Sequence, residues 1–188
     1  MYYIDWKDIQ LDIYVPSSGA GYYINASRAK SEGAELSLQW RPVRGLTVGV
    51  WSDWDEAIVT KNSPPTPGTT TPVISAGQDL PFVPRFSADV SVEDRFPISE
   101  DLYGVFAADV NYLGRRLPGI GDPGPSDYPP FARTNCHAGL TYSTYDISVF
   151  ANNIANRRGI IGNGVDTAYA AVTYIQPRTI GISVSKRF

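Results

Sequence analysis

The sequence ends in RTIGISVSKRF, residues 178–188, and this segment gives the first indication of the fold. Three aliphatic residues, Ile180, Ile182 and Val184, occupy every second position, and glycine and serine lie between them. Alternation with a period of two is typical of a β-strand with one apolar and one polar face. The sequence then stops on Phe188, an aromatic side chain where many chains have a polar tail.

The same alternation recurs along the whole chain and predicts an all-β protein. No stretch shows the i, i+3, i+4, i+7 spacing of an amphipathic helix, and 17 glycines and 15 prolines cluster between the periodic segments. The apolar phase slips near Lys7 and Asp8, which predicts a β-bulge there. Eight strands are predicted, at residues 2–14, 22–40, 46–59, 82–95, 102–115, 132–143, 145–153 and 173–188.

The predicted connections alternate between short turns and long loops. Residues 41–45 form a short turn, whereas residues 60–78 are polar, rich in proline and glycine, and predicted to be an exposed loop. In an antiparallel up-and-down sheet, alternate connections lie at the same end, so the turns gather at one end and the loops at the other. Outer-membrane β-barrels show this asymmetry.

The predicted strands are longer than the 5–6 residues typical of soluble proteins, and most reach the roughly 9–11 residues that span a membrane. Charged residues on the polar faces of the strands suit a wet lumen: Glu35, Arg85, Asp89, Glu93 and Asp109. Aromatic residues near the strand ends predict girdles at the two membrane interfaces. They are Tyr2, Tyr3, Trp6, Tyr22, Tyr23, Trp40, Trp51, Trp54, Tyr112, Tyr142, Tyr145 and Tyr174.

Composition excludes several classes of protein. A chain of 188 residues suits one domain, and a net charge of −3 argues against a nucleic-acid partner. A single cysteine precludes an internal disulfide and a cysteine-based metal site. The sequence has no secretory signal and no run of 18 apolar residues.

No catalytic residue, metal site or cofactor is predicted. Residues 119–124 match GxGxxG formally, but they lie in a proline-rich loop rather than between a strand and a helix. The single histidine, His137, has no partner at catalytic spacing. Carboxylates at one strand end and arginines opening two loops are candidate ligand contacts, and lipopolysaccharide phosphates are the alternative partner of the arginines: Asp53, Asp55, Arg115, Arg116 and Arg157.

Five segments, in order, resemble segments of TonB-dependent outer-membrane receptors. The resemblance covers essentially the whole chain and rests on the ordered set rather than on any one piece. Two departures are Asn156, where the family often has Asp, and Lys186, where an aromatic residue is frequent. The segments are YYIDWKDIQ (residues 2–10), NASRAKSEGAELSLQWRPVRGLTV (25–48), LPFVPRFS (80–87), FANNIANR (150–157) and IQPRTIGISVSKRF (175–188).

The resemblance implies that residues 1–188 are the C-terminal part of a barrel of about 22 strands with a plugged lumen. Plug domain, energy-coupling segment and signal peptide would precede Met1, which would be an internal start, a truncated reading frame or an artificial boundary. The family imports iron–siderophore complexes, cobalamin or saccharides across the outer membrane of Gram-negative bacteria, driven by the TonB complex.

The resemblance also implies contacts with outer-membrane lipid and with the barrel-assembly machinery. The strand signal for assembly would comprise Ile180, Ile182, Val184 and the closing Phe188. Because the plug and coupling segment are missing, the 188-residue chain alone is expected not to transport.

Alternatives remain open at the level of the sequence. Eight strands are enough to close a small barrel with a structural or adhesive role, or they form an open curved sheet with two bare edges. A soluble carbohydrate-binding β-sandwich would bury the apolar faces instead. An enzyme is the least supported class.

Overall fold

The computed structural model describes residues 1–15, 20–25, 28–65, 70–122, 124–163 and 171–187. In these residues the secondary structure consists of strands, without a helix. The twelve strands are β1 (Tyr2–Lys7), β2 (Gln10–Val15), β3 (Ala20–Asn25), β4 (Arg28–Trp40), β5 (Leu46–Lys61), β6 (Phe86–Pro97), β7 (Leu102–Leu113), β8 (Phe131–Tyr142), β9 (Tyr145–Asn152), β10 (Ile160–Asn163), β11 (Val172–Tyr174) and β12 (Thr179–Lys186).

Eight strands form one antiparallel sheet in the order β1-β4-β5-β6-β7-β8-β9-β12. The connections at 41–45, 98–101 and 143–144 lie at one end of this sheet, here called the turn end. The described parts of the connections 62–85, 114–130 and 153–178 lie at the opposite loop end, as the sequence predicts. Among the described residues β1 and β12 do not pair with each other, so the sheet is open rather than a closed eight-stranded barrel.

One face of the sheet, the apolar face, carries a row of aliphatic side chains across its central strands. Leu38 pairs with Val50, Val50 with Val90, and Val90 with Val110, so these side chains form one continuous row. At the β12 edge Ile182 is 72% exposed. A soluble β-sandwich would cover this face; because it is open, the sandwich alternative is wrong.

Aromatic side chains border the apolar face at both ends. Phe86 and Phe96 both point from this face and lie ten residues apart on β6. At about 3.3 Å per residue and a tilt near 40°, that separation spans about 25 Å, the height of the apolar band of outer-membrane barrels. The loop-end row is Trp54, Phe86 and Tyr112, and the turn-end row is Trp40, Phe96, Tyr142 and Tyr145.

The opposite face, the polar face, carries the charged and small residues. Asp89 pairs with Asn111 on β7, and Asp109 pairs with Asn135 on β8, whose amide donates a 2.7 Å hydrogen bond to the Asp109 carboxylate. Glu93 borders a depression of about 370 Å³ on this face. A hollow lined by polar groups is what a water-filled lumen requires.

Three of the predicted strands are divided or interrupted in the structure, and the breaks have physical causes. Asp8 has φ 55°, so the predicted bulge is instead the end of β1, and the second apolar phase belongs to the separate hairpin β2–β3. The predicted strand 22–40 divides likewise between β3 and β4. The predicted last strand is interrupted before β12 by Pro177, which has no N–H for a sheet ladder.

The edge pair β9–β12 provides a test of local packing. The ring of Phe150 covers Gly181, where a Cβ atom would lie 2.5 Å from the ring. We expect Phe150→Ala to lower the free energy of unfolding by about 1 kcal/mol, because the aromatic cross-strand contact is lost. Gly181→Ala alone should lower the free energy of unfolding, but it should have almost no effect when it is combined with Phe150→Ala. Urea unfolding in lipid vesicles measures this double-mutant cycle, and additive effects would contradict the contact.

Candidate ligand-binding end of the barrel wall

The loop end contains the buried core of the described residues. Ala29, Ala57 and Val59, on the polar face of β4 and β5, pack against Ile74 and Leu80 of the connection 62–85. The Leu80 amide donates to the Ala57 carbonyl at 2.8 Å, and the Val59 amide donates to Gln78 at 2.9 Å. The segment 60–78 was predicted to be an exposed loop, and that is wrong for Ile74, which is 3% exposed.

The hairpin β2–β3 and the connection 114–130 join the same assembly, here called the loop cap. The Tyr14 amide donates to the Ile120 carbonyl at 2.9 Å, and the Phe82 amide donates to the Leu117 carbonyl at 2.9 Å. Ile13 is buried beside this junction. Backbone hydrogen bonds therefore link three separate connections across the loop end, which fixes their relative positions.

Arg116 ties the connection 114–130 to β10. Arg116 and Tyr128 exchange two backbone hydrogen bonds, of 3.2 and 2.8 Å, and Tyr128 is fully buried. The Arg116 guanidinium lies 5.6 Å from the centre of the Tyr128 ring and donates to the Ile160 carbonyl at 2.5 Å. Burial lowers the pKa of Arg116 from its ordinary value. Arg116, a predicted ligand contact, is thus largely buried in the loop cap, and its contact with an imported ligand stays a prediction.

Asn153 holds the chain that leads into β12. Its side chain donates to the carbonyls of Arg157 and Gln176, both at 2.9 Å, and accepts from the Arg157 amide at 2.9 Å. Asn153 has φ 50°, which asparagine tolerates better than most residues. Asn156 occupies the position where the family pattern often has Asp. It accepts a 3.1 Å hydrogen bond from the Arg178 amide.

The predicted ligand contacts do not form one group. Asp53 and Asp55 lie on the polar face, where Tyr2 donates to Asp53 at 3.5 Å and Ser31 donates to Asp55 at 2.8 Å. The side chain of Arg157 is exposed. Arg115, in contrast, lines a pocket on the apolar-face side of the loop end.

The predicted interfacial aromatics also separate by face. Trp40, Trp54, Tyr112 and Tyr142 lie on the apolar face, as a membrane interface requires. Tyr3 lies beside Glu32, just beyond the loop-end row.

The outward orientation is wrong for Tyr2, Trp6 and Trp51, which share the polar face with Gly33, Ala29 and Asp89. Tyr174 belongs to β11, outside the eight-stranded sheet. Phe86 and Phe96 are not among the predicted interfacial aromatic residues. Their even positions on the alternating strand β6 nevertheless indicate that they lie on the apolar face.

The strand predicted to carry the assembly signal lies at the sheet edge. Ile180, Ile182 and Val184 are exposed on the apolar face of β12. The closing Phe188 lies outside the described residues. Within the described part of the chain, no helix is long and apolar enough to cross a membrane. No group of three or more His, Cys, Asp or Glu side chains in the same residues is arranged to hold a metal ion.

Three solved structures share this fold along nearly the whole chain. The ferric yersiniabactin uptake receptor FyuA from Yersinia pestis matches with a TM-score of 0.77 and 22% identity, over 97% of this chain and 26% of that one. The siderophore receptor PiuA from Acinetobacter baumannii matches with a TM-score of 0.70 and 18% identity, over 97% and 24%. The ferric-catecholate import receptor Fiu from Escherichia coli matches with a TM-score of 0.68 and 15% identity, over 97% of this chain and 23% of that one.

At these identities the likeness shows the fold alone, and the chain spans about a quarter of each receptor's length. A search of curated proteins finds no match. The sequence model described as TonB dependent receptor-like, beta-barrel, however, matches residues 1–156. The chain therefore belongs to the TonB-dependent receptors of the Gram-negative outer membrane, which are transporters rather than enzymes, and forms a segment of their β-barrel.

Proposed function

We propose that this segment is the C-terminal portion of a receptor that imports an iron–siderophore complex. The observation that carries the proposal is the loop cap, which is held by backbone hydrogen bonds and its own buried core above a polar wall. A receptor site at the outer surface needs such preorganised loops, because ordering them on binding would cost affinity. The structural relatives described above are all siderophore or ferric-chelate receptors by name.

The residues proposed to meet the ligand are those that the polar face and the cap present to the lumen. Asp53 and Asp55 lie where β5 enters the loop end. Trp51 precedes Asp53 by two residues on the same strand and lies on the same face. Arg157 lies exposed beside Asn153. Carboxylates near the polar wall favour a neutral or cationic chelate over a strongly anionic one.

The remaining partners follow from the same proposal. Energy would come from the TonB complex, acting through parts of the receptor other than this segment. Outer-membrane lipid would cover the apolar face. The barrel-assembly machinery would recognise β12 through Ile180, Ile182 and Val184, together with Phe188.

Uptake of radioactive iron tests the proposal. Cells that lack their own siderophore receptors would express the complete receptor containing this segment. We expect energy-dependent iron uptake from at least one ferric siderophore. The variant Asp53→Asn/Asp55→Asn should raise KM several-fold at an unchanged amount of receptor, because two ligand-facing carboxylates are lost.

Glu56→Gln is the matched control, because Glu56 follows on the same strand but lies on the opposite side of the sheet. It should leave KM unchanged. Uptake of cobalamin or a saccharide, with no iron uptake from any siderophore, would overturn the proposal.

A further inference from the structure

The turn-end half of the apolar face contains a groove of about 520 Å³ between β7, β8 and β9. Ala138 on β8 pairs with Phe106 on one side and with Val149 on the other, so a small side chain lies between two larger ones. Leu140 and Ile147, one pleat nearer to the turn end, also line the groove. The groove is thus a gap in an apolar surface, open toward the membrane.

The groove has the depth of one leaflet of the membrane. Tyr145, in the turn-end aromatic row, and Val149 lie four residues apart on β9. At about 3.3 Å per residue and a tilt near 40°, that separation spans about 10 Å, close to half of an apolar band of about 25 Å. The next row inward consists of the small residues Ala108, Cys136 and Ala151. An acyl chain that enters from the turn end therefore has room as far as the midplane.

A cation lies at the turn-end mouth of the groove. Lys186 is exposed and pairs with Tyr145, and its Nζ lies 5.3 Å from the centre of the Tyr145 ring. Ile147, which lines the groove, follows Tyr145 by two residues on the same face. The adjacent Arg187 instead pairs at 2.9 Å with Asp146, a residue of the polar face. Lys186 is therefore placed to meet a headgroup above the groove.

We propose that this groove, here called the acyl groove, holds one acyl chain of an anionic glycerophospholipid, whose phosphate binds Lys186. The lipid belongs to the periplasmic leaflet, because the short turns of outer-membrane barrels are periplasmic. A phospholipid fits both parts of the site, since its glycerol joins an apolar chain to a phosphate at the membrane interface. The Lys186 ammonium offers three N–H donors to the phosphate oxygens.

Native mass spectrometry of the complete receptor containing this segment tests the headgroup contact. The receptor is released from nanodiscs that hold equal amounts of phosphatidylglycerol and phosphatidylcholine with identical acyl chains. We expect phosphatidylglycerol to be retained about fivefold more than phosphatidylcholine, the effect of one lysine near an anionic lipid. Lys186→Gln should remove this excess. Arg41→Gln, which changes an exposed arginine at the turn end away from the groove, should keep it.

Filling the groove tests the acyl-chain contact. Ala138→Phe places a ring between Phe106 and Val149, and it should also remove the excess of phosphatidylglycerol because the chain can no longer enter. Ala88→Phe is the matched control, since Ala88 lies on the same face but in the loop-end half of β6. This variant should retain both lipids as the unchanged receptor does.

Four outcomes would overturn the proposal. Equal retention of the two lipids by the unchanged receptor would exclude recognition of the anionic headgroup. The same loss in Arg41→Gln as in Lys186→Gln would indicate general attraction by surface charge. An excess that survives Ala138→Phe would show that the chain lies elsewhere, and displacement by soluble glycerol phosphate would indicate a site for the headgroup alone. These measurements involve no uptake, so their result is independent of the import proposal.

Discussion

Replacing Asn153 by alanine should lower the free energy of unfolding by about 3–4 kcal/mol. The side chain is 1% exposed and forms three hydrogen bonds to the backbone at Arg157 and Gln176. Alanine would leave those backbone groups without partners and would also have to adopt φ 50°. Urea unfolding in lipid vesicles, followed by tryptophan fluorescence, measures the loss.

The adjacent Asn152 is the matched control for this prediction. It is exposed at the end of β9 and pairs with Thr179 through the backbone. Asn152→Ala should change stability by less than about 0.5 kcal/mol. A similar loss in both variants would mean that Asn153 matters only as part of the strand end, rather than as the link between two connections.

Placing an arginine at Val90 should cost about 2–4 kcal/mol, because the side chain would enter the hydrocarbon near its midplane. Val90 lies in the middle of β6, between Val50 and Val110 on the apolar face. The expected result is lower folding yield and a lower urea midpoint in vesicles, with a smaller loss in thin bilayers.

Ser91 is the next residue on the same strand and points to the opposite face. It borders the depression on the polar face, where an arginine has room and water. Ser91→Arg should therefore cost less than about 1 kcal/mol. If Ser91→Arg proved the more harmful of the two, the assignment of the lipid-facing and lumen-facing sides would be reversed.

Local alternation was enough to predict the wall but not where the wall begins and ends. Ile180, Ile182 and Val184 reveal their shared face because side chains on a strand repeat with a period of two. The phase slip at Lys7 and Asp8 was visible too. The structural cause of this slip could not be predicted, because a bulge within one strand and a break between two sheets leave the same local pattern.

The loop cap could not be predicted because its contacts join residues far apart in the chain. Arg115 and Arg116 are identical and adjacent in the sequence, yet one is exposed and the other is buried. The difference arises at Ile160, 44 residues away from Arg116. Likewise Ile74 lies in a polar, proline-rich stretch, and only packing against Ala57 and Val59 shows that it belongs to a core.

The two edge strands of the open sheet have opposite directions, since seven successive antiparallel pairings lead from β1 to β12. Any up-and-down barrel that incorporates this segment must therefore insert an even number of further strands between those edges, or none. An odd number would force one parallel pair at the seam. The antiparallel pairing of these eight strands therefore requires an even total number of strands in the complete barrel, in keeping with the even strand numbers of bacterial outer-membrane barrels.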